Sequence, residues 1–61
     1  MTIKEAQKAY LYDRLILYGG HKYPIMHIIT WLDQNKHWQH SFALKDKNNI
    51  IQVNIKDCEV V

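Results

Sequence analysis

The chain has 61 residues, 48% of them hydrophobic, and a formal net charge of +2. That length gives one small domain spanning residues 1–61, of a size that buries its surface only marginally on its own. No apolar run approaches the ~20 residues that span a bilayer, the single cysteine, Cys58, cannot close an intramolecular disulfide, and the basic residues are scattered, so a transmembrane helix is excluded, a disulfide scaffold is excluded, and charge alone does not argue for a nucleic-acid binder.

The lone cysteine and the lack of an N-terminal signal pattern imply a reducing, cytoplasmic setting. A small domain without disulfides needs other support: a packed aromatic core, a metal, or a partner chain.

In chain order, the first element is a helix. Thr2 and Glu5 have the spacing of a capping box, in which a hydroxyl and a carboxylate each satisfy the other residue's amide. Residues Ile3 to Tyr18 contain neither proline nor glycine, and Gly19-Gly20 supplies the left-handed residue that often ends a helix. Two readings of the far end follow. Capping signals at both ends favour a helix from Ile3 to Tyr18. The all-apolar run Leu15 to Tyr18 is instead consistent with a helix that stops near Asp13, followed by a short strand turning at Gly19-Gly20.

From Lys22 the pattern changes to period two. A first strand is predicted from Tyr23 to Leu32 and a second from His37 to Lys45, joined around Asp33-Gln34-Asn35-Lys36. A turn centred between Gln34 and Asn35 sets Trp31 opposite Trp38, Ile29 opposite His40, His27 opposite Phe42 and Ile25 opposite Leu44. Asp46 to Asn49 is a second turn cluster. A third strand follows from Ile50 to Lys56, and Cys58 to Val61 has the character of a short terminal strand. The fold class is α+β: an N-terminal helix packed on a three- to four-stranded antiparallel β-meander.

This register assigns Ile25, Ile29, Trp31, Trp38, Phe42, Leu44, Ile51, Val53 and Ile55 to the core, covered by Ile3, Ala6, Tyr10 and Leu17 of the helix. The opposite face carries Gln39, Ser41, Lys45, Gln52, Asn54 and Lys56, but also Met26, Ile28 and Leu32 from the first strand. An apolar strand on both faces implies either that the sheet curls into a small barrel or that a partner covers it.

Residues able to carry chemistry are few. His21, His27, His37 and His40 lie within twenty residues, and in this register His27 and His40 share a face where Cys58 could join them around zinc. Zinc sites normally pair their ligands more tightly, so no metal site and no cofactor is expected. Cys58 with a histidine would be a minimal nucleophilic pair, but so small a chain has little room for a cleft and an oxyanion hole, and no catalytic residue is expected.

The expected function is therefore non-enzymatic: a small binding protein that regulates or inhibits a larger protein through an apolar and aromatic surface formed by Tyr12, Tyr18, Met26, Ile28 and Leu32, and that associates as a homodimer. In size and lack of motifs the chain resembles the accessory proteins that bacteriophages and mobile elements encode. The alternative is a small-barrel nucleic-acid-binding protein, with Trp31 and Trp38 stacking bases and Lys36, Lys45 and Lys47 meeting phosphates.

Overall fold

The computed structural model describes all residues, 1–61. One helix, α1 (Ile3–Leu11), precedes six strands: β1 (Ile16–Tyr18), β2 (His21–Tyr23), β3 (Ile25–Leu32), β4 (Trp38–Asp46), β5 (Asn49–Asn54) and β6 (Glu59–Val60). A single 3-10 turn, Ile55–Asp57, lies between β5 and β6. The strands form two antiparallel sheets, ordered β2-β1-β6 and β3-β4-β5. No helix is long and apolar enough to cross a membrane.

The capping box forms as its spacing predicts. The Glu5 amide donates to Thr2 Oγ1 at 3.2 Å and the Thr2 amide donates to Glu5 Oε1 at 3.1 Å. These bonds, led by the one from the Thr2 backbone, hold the Glu5 carboxyl below its usual range. The helix then ends at Leu11, not at Tyr18. Asp13 takes the left-handed conformation (φ +53°). With Tyr12 as the C-cap, Asp13 N–H bonds the Tyr10 carbonyl and Arg14 N–H bonds the Ala9 carbonyl. This is the Schellman pattern, closed by aspartate where glycine is usual.

Gly19 and Gly20 serve a different turn from the one the long-helix reading gives them. Both have positive φ, +58° and +79°, as a two-residue type I′ hairpin requires. They join β1 to β2, with Tyr18 across from His21 and Ile16 across from Tyr23. The terminal strand β6 adds on the other side of β1, placing Val60 across from Ile16. Leu17 thus belongs to a strand and not to the helix.

Pro24 separates β2 from β3. It has no N–H to give to a ladder, but its carbonyl accepts from the Lys45 amide at 3.1 Å. The chain bends there and passes from one sheet to the other. A bulge between Ile25 and His27 follows at once, and the Tyr10 hydroxyl donates to the Met26 carbonyl at 2.7 Å, which ties α1 to the bend. β5 does not pair with β6, so the sheets stay two and the barrel is not closed.

The core lies between α1, β1 and the inner face of the β3-β4-β5 meander. It comprises Ala6, Ala9, Ile16, Phe42, Leu44, Val53, Ile55 and Cys58, with Met1, Ile3, Tyr18, Tyr23, Ile25, Ile28 and Ile51 packed around it. Ala6 and Ala9, the fourth and seventh helical positions after Thr2, let the helix backbone approach β3 closely. Only Phe42, Ile16 and Leu44 are large and fully buried. Eleven large apolar or aromatic side chains, by contrast, are exposed. A fold with so small a core gains little from burial on its own.

Candidate functional site

The β3–β4 hairpin carries one of the two most exposed apolar areas of the molecule, the other being Leu11 and Tyr12 at the end of α1, and its loop sets the geometry. Asp33 Oδ1 accepts from the amides of Asn35 and His37, both at 2.9 Å, and Asp33 Oδ2 accepts from Gln39 Nε2 at 2.9 Å. The bond from the His37 amide, then that from Gln39, keep the Asp33 carboxyl below the usual aspartate range. The Asp33 carbonyl accepts from the Lys36 amide at 3.1 Å, and the Asp33 amide donates to the His37 carbonyl at 2.9 Å. Lys36 is left-handed (φ +63°). This is a three-residue loop, a type I turn followed by a left-handed residue.

An odd-numbered loop moves the register by one residue from the symmetric turn predicted from sequence, and a one-residue slip exchanges the faces of a strand. The observed pairs are Leu32 with Trp38, Trp31 with Gln39, Thr30 with His40, Ile29 with Ser41, Ile28 with Phe42 and His27 with Ala43. The bulge at Met26 then restores the expected pairing of Ile25 with Leu44. In β5, Ile51 lies across from Leu44 and Val53 across from Phe42, on the core face as expected.

Several assignments therefore change. Ile28 faces the core beside Phe42, whereas Ile29 and Trp31 lie on the outer face with Gln39, Ser41, Gln52 and Asn54. Trp31 and Trp38 are on opposite faces of the sheet, so they form neither a cross-strand pair nor a common stacking platform. His27 and His40 are likewise on opposite faces. His40 Nδ1 hydrogen-bonds Thr30 Oγ1 at 2.9 Å, and Cys58 is in the core, away from any shared ligand geometry.

Of the residues assigned to a partner surface, Tyr12, Met26 and Leu32 are exposed, while Tyr18 and Ile28 pack on the core. Trp38, 64% exposed, stands across from Leu32, 44% exposed. These two continue the inner face of the meander beyond the part that packs on the core. The result is an apolar step at the hairpin end, with the bonded Thr30–His40 pair as the rung next to it. Trp38 keeps the face that the sequence assigns to it but lies beyond the covered part of that face, whereas the register change brings Leu32 onto it. The signal for the pairing of Leu32 with Trp38 is Lys36, the third residue of a loop that follows Asp33, whose carboxylate can accept from two amides at once.

The residues of the nucleic-acid alternative are divided. Trp31, Lys36 and Trp38 lie at one end of the meander, and Lys45 and Lys47 at the other, about 23 Å away along β4. No group of three or more histidine, cysteine or acidic side chains comes together in metal-binding geometry. Cys58 is 3% exposed. Burial raises its thiol pKa, and its Sγ donates to the Asn54 carbonyl at 3.5 Å. These are properties of an inert structural thiol.

The chain matches no family model, and no curated protein or solved structure is significantly similar to it.

Proposed function

We propose that this chain is a small non-enzymatic binding protein that regulates or blocks a larger protein, with the Leu32–Trp38 step as its contact. The observation that carries the reading is that cross-strand pair: two large apolar side chains, side by side and exposed at the end of a two-stranded projection. Tryptophan is the residue most enriched at energetic centres of interfaces. The short loop chemistry around Asp33 fixes the projection in one conformation, so little ordering entropy opposes docking.

The exposed helix end, with Leu11 at 74% and Tyr12 at 63%, is a second apolar area. A core with only three large side chains fully buried is consistent with a second copy of the chain covering this area. The homodimer belongs to the proposal on that ground.

The test is an affinity pull-down with tagged protein from cells that naturally carry it, with and without nuclease. A protein partner that survives nuclease and is lost from a Leu32→Ser, Trp38→Ser double variant supports the proposal. Recovery that is unchanged in the folded double variant, or that collapses with nuclease, overturns it.

A further inference from the structure

The charge of this molecule is not scattered once it is folded. An open cleft of about 600 Å³ is lined by His21, Lys22, Tyr23, Lys45, Asp46 and Lys47. Three ammonium groups and one carboxylate in this wall leave an excess of two positive charges, which is the whole formal net charge of the chain. The remaining five basic and five acidic residues cancel. In sequence Lys22 is more than twenty residues from Lys45. Folding joins them because Gly19-Gly20 turns β2 back on β1 and the Pro24 carbonyl then accepts from the Lys45 amide.

We infer that this cleft binds a phosphate-bearing ligand. Its cations are all lysines, compact point charges that suit phosphate oxygens arriving from several directions. The planar carboxylates of an acidic peptide are held best by the fork of an arginine. The only arginine, Arg14, is elsewhere and donates to the Val61 carbonyl at 2.6 Å. Asp46 reduces the excess from three charges to two, which matches a phosphate monoester dianion or two successive phosphodiesters of a strand. Tyr23 is half-buried and packs on the core, so one wall of the cleft is rigid. Its ring and that of His21 are 6.3 Å apart and tilted by 57°, and both side chains offer hydrogen-bond donors to a ligand oxygen. The cleft lies at the opposite end of β4 from Trp38, so it is independent of the contact proposed above.

The experiment is amide-resolved NMR titration of the full chain with ADP, with a twelve-residue oligothymidylate and with an acidic hexapeptide, each at low salt. The expected result is movement of the amides of His21–Tyr23 and Lys45–Lys47, with those of Leu32 and Trp38 still. A Lys22→Gln, Lys45→Gln, Lys47→Asn variant should bind at least tenfold more weakly while its spectrum stays dispersed. Asparagine is chosen at Lys47 because that residue is left-handed (φ +55°), which asparagine tolerates. Response to both phosphate probes identifies phosphate groups as the ligand, whether or not they belong to a strand. Response to the oligonucleotide alone identifies a strand. Three lysine contacts then give a salt slope of about −2, or about twentyfold weaker binding from 50 to 200 mM salt. No movement in the cleft with either phosphate probe, equal binding by the triple variant, or preference for the peptide would overturn the inference.

Discussion

Ile28 lies directly across from Phe42 on the inner face of the meander, and this pairing separates core from surface along β3 from His27 to Leu32. With Ile28 inward, His27 and Ile29 must point outward, and Leu32 emerges on the inner face just past the covered region. Ile28→Asp should therefore destabilise the domain strongly, by about 2 kcal/mol or more, because it sets a carboxylate with no partner against the core at a half-buried position. His27→Asp, one residue away and exposed, should fold normally. Unfolding of the two variants followed by circular dichroism checks this, and an Ile28→Asp protein as stable as His27→Asp would mean that the register is wrong.

Lys36 holds a positive φ that is unfavourable for any residue with a Cβ. Lys36→Gly should raise stability by up to about 1 kcal/mol, since it removes a left-handed penalty of that order and loses part of the gain to a freer unfolded chain. Lys36→Val should be destabilising. Urea unfolding of both variants reads the signs, and a stabilising valine would refute the three-residue loop.

The Asp33 carboxyl is held below its usual range by the His37 amide, the Gln39 side chain and the Asn35 amide. Its charged form is favoured in the folded hairpin. The sign follows: the contribution is full above the ordinary aspartate value and is lost as pH falls through the depressed folded value. Stability measured from pH 5 downward should decline more steeply in the natural chain than in Asp33→Asn. Parallel curves for the two would show that Asp33 does not organise the loop.

Cys58 is buried and its thiol is harder to ionise than an exposed one. Alkylation by iodoacetamide at neutral pH should be slow in the native protein and fast in denaturant. Rapid labelling of folded protein would place the thiol at the surface and reopen a chemical role for it.

Much of the fold can be read from the residues. The Thr2–Glu5 cap, the meander, the joint face of Phe42, Leu44, Ile51 and Val53, and a terminal strand after Cys58 all follow from local spacing. The end of α1 follows only as the less favoured of two readings, a helix stopping near Asp13 before a short strand, because a left-handed Asp13 leaves no glycine to mark it. The two glycines that do appear close a hairpin. The register of β3 depends on whether one residue, Lys36, extends the loop, and alternation alone cannot distinguish a two-residue turn from a three-residue one. Met26 compounds this, since its bulge makes the Ile25–Leu44 pair agree with either register. At the candidate site the exposure of Leu32 is legible but its face is not, because of the register, whereas the face of Trp38 is legible and its exposure is not, because alternation does not show how far along the strand the core extends. The cleft of Lys22, Lys45 and Lys47 depends on a contact between sheets that no local pattern encodes.

The most direct test of the Leu32–Trp38 contact is site-specific photo-crosslinking in cells that naturally carry the protein, with benzoylphenylalanine at position 38 and, as a control, at position 52 on the outer face of β5. The expected result is one adduct at position 38, larger than two copies of this chain, and none at position 52. No adduct at position 38, or the same adduct from position 52, would contradict the claim that this step is where a larger protein docks.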